Sequence, residues 1–201
     1  PNLPTSMAMR QALQRDLGLS AADLPRYLET ERLATRRQAE AQKALGASYA
    51  GSWLERDANG EFEFVIATTQ QAQTAKARTL GAQARVVRHS LATLEASMSQ
   101  LNSAQKTKSI GVLRPTDPGI HSWRIDLPSN SVVITLEPGM EKIAAALVAR
   151  SGADARTIRY KTSTARGRCG EQSAFGRCRQ GSKGRAIVVA AHQYALLARH
   201  H

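Results

Sequence analysis

The residues able to do chemistry in this chain are few and scattered. The five histidines, His89, His121, His192, His200 and His201, form no HxxxH or HExxH pair, so no helix turn offers two imidazoles to one metal ion. Cys169 and Cys178 lack histidines at ligand spacing. In an oxidising compartment they could close a small loop; otherwise they are two incidental thiols. No serine sits in a GxSxG elbow. Neither GxxxxGK[ST] nor GxGxxG follows a strand-like run, and Gly181-Ser182-Lys183-Gly184 has the wrong spacing for a phosphate cradle. Asp57, Glu61 and Glu63 surround a turn, which suits solvated acids better than a general acid–base pair. The expectation is a protein with no catalytic residue, no metal and no cofactor. It should work by binding.

What it binds is constrained by charge. The 201 residues carry a net charge of +12, a balance that favours acidic partners, nucleic acid or simple solubility. From Thr162 to His201 there are seven Lys or Arg against the single acid Glu171, so +6 lies in the last 40 residues. That segment is also rich in Gly and Ser and is expected to be largely disordered. A basic tail raises the alternative of a nucleic-acid or anionic-surface binder, whose affinity would fall steeply with salt. Only 4% of residues are aromatic, and no zinc finger or recognition-helix signature is present, which weighs against nucleic acid. No apolar run approaches membrane-spanning length, and with a polar, proline-rich Pro1–Thr5 at the start, any export signal is expected to have been removed already or never to have existed.

The elements that must position a binding surface follow from periodicity. Met9, Leu13 and Leu17 recur at helical spacing over Met7–Leu17. Ser20, with Asp23 three residues on, caps a long helix from Ala21 to about Leu45, Pro25 being tolerated in its first turn. Leu24, Tyr27, Leu28 and Leu33 supply its apolar face. Alternation then predicts strands at Tyr49–Leu54 and Glu61–Ala67 around the turn Asp57–Gly60. A helix follows at Gln70–Leu80, a β segment at Ala84–Arg88, and a helix capped by Ser90 at Leu91–Leu101. Asn102–Gly119 reads as a connection. Strands at His121–Asp126 and Ser131–Leu136 flank the turn Pro128-Ser129-Asn130. A helix at Met140–Arg150 and a third strand at Ala155–Lys161 complete the pattern.

The two β-rich stretches are versions of one unit. Ser52-Trp53, hairpin, helix and Gly81-Ala82-Gln83-Ala84-Arg85 match Ser122-Trp123, hairpin, helix and Gly152-Ala153-Asp154-Ala155-Arg156. Tryptophan and glycine are 28 residues apart in the first and 29 in the second, which indicates duplication. A hairpin cannot stand alone in water, and a helix laid on it covers its apolar face. The fold class is therefore α+β: two small lobes, each an antiparallel sheet packed with helices, preceded by N-terminal helices. Residues 1–101 form the first lobe, 102–119 the connection, 120–164 the second lobe and 165–201 the basic tail. Trp53 and Trp123 should pin helix to sheet.

Several segments resemble the pro regions of alpha-lytic-protease-like secreted bacterial serine proteases, and more loosely those of streptogrisins. They are Met9–Leu19, Leu24–Glu31, Leu45–Arg56, Val87–Leu91 and Ser151–Ala155, spread over roughly Met7 to Thr164. The resemblance implies a secreted or periplasmic, non-enzymatic role as intramolecular chaperone and inhibitor. The partner would be the cognate chymotrypsin-like catalytic domain. It implies that the second lobe's sheet pairs with a hairpin of the protease while the end of the pro region lies in the substrate cleft. On that basis the expected contact zone is Trp123, the strand Val132, Val133, Ile134, Thr135 and Leu136, and the run Ile158, Arg159, Tyr160, Lys161, Thr162, Ser163 and Thr164. Val132, Ile134 and Ile158 could equally fill the lobe's own core. The protease motifs Ile-Val-Gly-Gly, Thr-Ala-Gly-His and Gly-Asp-Ser-Gly-Gly do not occur in these residues.

Overall fold

The computed structural model describes residues 7–57, 59–108, 118–164 and 186–187. Helices α1 (Met7–Leu17) and α2 (Asp23–Leu45) open the chain. The Ser20 hydroxyl accepts the Asp23 backbone N–H at 3.1 Å and donates to the Asp23 carboxylate at 2.5 Å, bracing the turn that leads into α2, which begins at Asp23 rather than at Ala21. Leu24, Tyr27, Ala34, Ala41 and Leu45 recur on one face of α2 and are buried. They lie on the first sheet, in a core with Tyr49, Leu54, Phe64 and Ile66.

That sheet contains β1 (Tyr49–Arg56), β2 (Phe62–Thr68) and β3 (Gln83–Val86), with α3 (Thr74–Thr79) between the last two. The second contains β4 (Ile120–Asp126), β5 (Ser131–Leu136) and β6 (Ile158–Thr162), with α5 (Glu141–Ser151) between β5 and β6. In both, the hairpin is antiparallel and the third strand runs parallel to the second. The expectation of wholly antiparallel sheets is thus corrected to two mixed sheets. The physical reason is the helix: a strand that returns to its sheet through a helical crossover re-enters in the same direction. The two units therefore share one ββαβ topology, as the repeat requires.

Their details diverge. The letters Ala-Arg-Val that form β3 correspond to Ala155–Thr157, which is a 3-10 turn rather than strand. The Asp154 side chain accepts the Arg156 N–H at 3.0 Å and draws the chain into that turn. The third strand thus begins at Ile158, not Ala155. The helix expected at Leu91–Leu101 continues as α4 to Lys108, into the expected connection. Its Leu94 and Leu101 are buried in the second core, with Val132, Ile134, Leu136, Ala144 and Leu147. α4 therefore covers the second sheet from outside the repeat.

The tryptophans also part company. Trp123 packs toward the second core, and its indole N–H donates to Asn102 Oδ1 on α4 at 2.8 Å, pinning helix to sheet. Trp53 is wholly buried on the face of the first sheet away from α2, with Ala50, Val65, Ala67, Val87 and Leu127. Leu127 belongs to the β4–β5 turn, so Trp53 seals one lobe against the other. At that junction β1 carries Gly51 with φ 113°, and a Cβ there would meet Leu127 Cδ2 at 2.6 Å; only glycine permits both the dihedral and the approach. A second tie joins the lobes nearby. Asn130, with φ 49°, accepts the His89 N–H at 2.7 Å and donates to the His89 C=O at 2.8 Å.

A short strand β7 (Ala186–Ile187) pairs antiparallel with β1 through Leu54 and Glu55. The rest of the basic tail, Cys169 and Cys178, and residues 109–117 of the expected connection lie outside the described residues.

Candidate partner-binding surface

The second sheet has the order β4-β5-β6, so its two borders are β4 and β6. β5 is central, and all six of its residues are buried. This follows from its composition: Ser-Val-Val-Ile-Thr-Leu is a nearly continuous β-branched run, the pattern of a strand covered on both faces. Val132, Ile134 and Leu136 point into the core with no exposed surface. Val133 and Thr135 face the other way and are also buried. The expected contact residues on β5 therefore sit behind both borders. Trp123 is half-buried and engaged with α4.

β6 is different. Val132 pairs with Ile158 and Leu136 with Thr162 along its inner side; its outer N–H and C=O groups have no strand partner among the described residues. Ile158 is half-buried against the core, whereas Arg159, Tyr160, Lys161 and Thr162 are exposed. Tyr160 is 43% exposed, one of few large hydrophobic side chains so open. Alternation puts Arg159 and Lys161 on one face and Tyr160 at the rim of the other. The strand is amphipathic, short and basic, properties that limit unwanted edge pairing while leaving room for a chosen partner.

Both ends of β6 are fixed. At its entry Thr157 is wholly buried, and its hydroxyl lies 2.6 Å from the Asp154 C=O and 3.0 Å from Ser97 Oγ on α4. Asp154 binds the Arg156 guanidinium, with Arg156 Nη2 2.9 Å from Asp154 Oδ2. The hydrogen bonds from Arg156 side chain and backbone hold the Asp154 carboxyl down at about 2. At the exit the Ser163 N–H donates to the Leu136 C=O at 2.8 Å, and His121 Nε2 lies 3.1 Å from the Ser163 C=O. Ser163 is half-buried and Thr164 exposed. Of the expected contact residues, Arg159 to Thr164 thus form one continuous accessible run. Sequence reasoning missed His121. Its only signal would have been the bulge between Ile120 and Ser122, which alternation alone does not reveal.

Among the described residues no group of three His, Cys, Asp or Glu could hold a metal ion, and no helix is long and apolar enough to cross a membrane.

Comparison with known proteins gives the family. The model of the alpha-lytic protease pro N-terminal family matches residues 24–87, and that of the alpha-lytic protease prodomain matches residues 89–155. The boundary between them falls where Asn130 holds His89. The chain is 32% identical to Streptogrisin-C of Streptomyces griseus over 129 residues, 64% of this chain and 26% of that protein. It is 27% identical to Serine protease 1 of Rarobacter faecitabidus over 153 residues, 76% of this chain and 26% of that protein. The chain spans about a quarter of the length of these two curated relatives. Residues 24–87 and 89–155 are pro-region sequence and not the catalytic part of a protease, and by these two adjoining matches, which together take in more than half of it, the chain belongs to the alpha-lytic protease pro-region families.

Proposed function

We propose that this chain acts as an intramolecular chaperone and inhibitor of a secreted chymotrypsin-like serine protease, using β6 as a docking border. The observation that carries this reading is the open side of β6, exposed from Arg159 to Thr162 and fixed at both ends, in a member of a prodomain family. A strand of the partner added to that side would satisfy its unpaired backbone groups and set the register, by β-augmentation. Arg159, Tyr160 and Lys161 would supply side-chain selectivity.

The need for such help is physical. All-β barrels rely on non-local pairing and form slowly. A surface that binds the folding transition state more tightly than the unfolded chain lowers the barrier, about tenfold in rate per 1.4 kcal/mol of preference. The same border, still bound after folding, would leave Thr162–Thr164 at the substrate cleft as an inhibitor. Mixing the chain with its denatured cognate catalytic domain tests this. Recovered activity should rise well above that in buffer; recovery equal to buffer would overturn the reading.

A further inference from the structure

The first sheet has a gap in its own border. β1 accompanies β2 from Phe62, opposite Arg56, but β3 joins only at Val65, opposite Gln83. Among the described residues the stretch Phe62–Phe64 therefore has a strand on one side and none on the other. Between this stretch and α2 lies a cavity of about 660 Å³, a size that suits a small ligand. Its walls are largely apolar: Leu33, Ala34, Phe62, Phe64, Ala82 and Ala84. Two cations also line it, Arg37 of α2 and Arg78 of the last turn of α3. The Arg37 guanidinium lies over Gly81, so close that a Cβ there would meet Nη1 at 2.6 Å. Arg78 is joined to the same glycine, its C=O accepting the Gly81 N–H at 2.8 Å. Among the described residues neither guanidinium has an ion-pair partner. Glu63 borders the cavity too. Phe64, however, packs into the core under α2, so alternation turns the Glu63 side chain to the opposite face, beside Glu55.

The border and the cations ask for the same ligand. An open strand border accepts an extended peptide. A peptide lying along Phe62–Phe64 and heading for Val65 meets Ala82 and Gln83, where β3 begins, and has to end there. Guanidinium groups take a carboxylate through paired N–H donors. A chain that must stop beside two unpaired cations is matched by its own C-terminal carboxylate better than by an acidic side chain. We infer that this cavity binds a short apolar peptide through its free α-carboxylate, the kind of end that hydrolysis of a peptide bond creates. The peptide backbone would pair with Phe62–Phe64, its side chains would rest on Leu33 and Ala84, and its carboxylate would face Arg37 and Arg78. The site belongs to the first sheet and shares no residue with β6, so it stands or falls independently of the function proposed above.

The test uses the full chain with no protease present. The probe is acetyl-Val-Val-Leu with a free carboxylate, titrated by NMR. Two control peptides are the same sequence as a C-terminal amide and acetyl-Val-Glu-Val amide, whose carboxylate is on a side chain. The free acid should bind saturably and slow amide exchange at Phe62–Phe64. The amide should bind at least about tenfold more weakly, as expected for loss of one charge-assisted hydrogen bond. Arg37→Gln combined with Arg78→Gln should weaken the free acid by a similar factor and leave the unfolding midpoint in place. No saturable binding of the free acid at about 1 mM overturns the inference. So does equal binding of acid and amide, or a side-chain acid that binds as tightly as the free terminus. Parent-like binding by the folded double variant overturns it as well. Should that variant unfold early, the comparison of acid with amide on the parent chain decides the matter.

Discussion

Replacing Asn130 should weaken the junction between the lobes by an amount the structure lets us divide. Its side-chain amide makes two part-buried hydrogen bonds to the His89 backbone, at 2.7 and 2.8 Å. Each neutral bond of this kind contributes about 0.5–1.5 kcal/mol net. Its φ of 49° is tolerable for Asn and strained by about 1–2 kcal/mol for most other residues. Asn130→Ala loses both bonds and takes on the strain, so it should cost about 2–5 kcal/mol. Asn130→Gly loses the bonds without the strain and should cost about 1–2 kcal/mol less than the alanine variant. Asn130→Asp keeps an acceptor for the His89 N–H but sets a carboxylate against the His89 C=O. It should fall at or below the glycine variant near neutral pH. Urea unfolding followed by circular dichroism reads these directly. With a slope of about 1–3 kcal/mol per molar urea, a loss of 2 kcal/mol moves the midpoint by roughly 1 M. An alanine variant within about 0.5 kcal/mol of the parent would refute the reasoning, and equal alanine and glycine values would refute its backbone half.

Other outcomes can be stated more briefly. Gly51→Ala should destabilise by about 2 kcal/mol or more. Adding Leu127→Ala should relieve only the smaller, steric share, because a leucine tip can rotate away whereas φ 113° cannot change; equal relief of the whole loss in thermal melts would contradict this. The Asp154 carboxyl ionises at about 2 in the folded chain against an ordinary value of 3.8. Its contribution is therefore present above pH 4 and lost as pH falls toward 2. Asp154→Asn should flatten that part of the stability–pH curve, by a small amount because the pair is exposed. Deleting residues 165–201 should leave refolding assistance intact and strengthen inhibition. Loss of refolding activity, or a salt-sensitive nucleic-acid affinity that disappears with those residues, would favour the basic tail as the working part.

The legible parts of this fold are those governed by local chemistry. Asp57–Gly60 and Pro128–Asn130 announce their turns, and the alternation around them gives both hairpins their residues. Ser90 marks a helix start at Leu91 that the structure confirms, its hydroxyl 3.3 Å from the Thr93 N–H, and Ser20 marks one to within two residues, α2 beginning at Asp23. The misread parts are those where distant residues decide. Asn102 and Ser103 read as connection because they are polar, yet Asn102 takes the Trp123 indole N–H and the helix runs on. GAxAR looks alike in both units, but Asp154 in place of Gln83 supplies a carboxylate that bends the second copy. The third strands read as antiparallel, although the intervening helices bring them back parallel. The buried state of Val133 and Thr135 is itself written in the continuous β-branched run of β5, the pattern of a strand covered on both faces, although the expected contact zone lies on it. His121 owes its place to a bulge, which has no fixed spelling.

The late position of β6 in the chain has a consequence for timing. A polypeptide is synthesised from its N-terminus, and until Ile158–Thr162 emerge from the ribosome the second sheet is only the β4–β5 hairpin under its helices. Without β6 the central strand β5 lacks the ladder partner that it has from Ile158 to Thr162. The border proposed for docking is therefore the last part of this lobe to be made. On the proposed reading, residues beyond Thr164 follow the template strand in chain order and do not precede it.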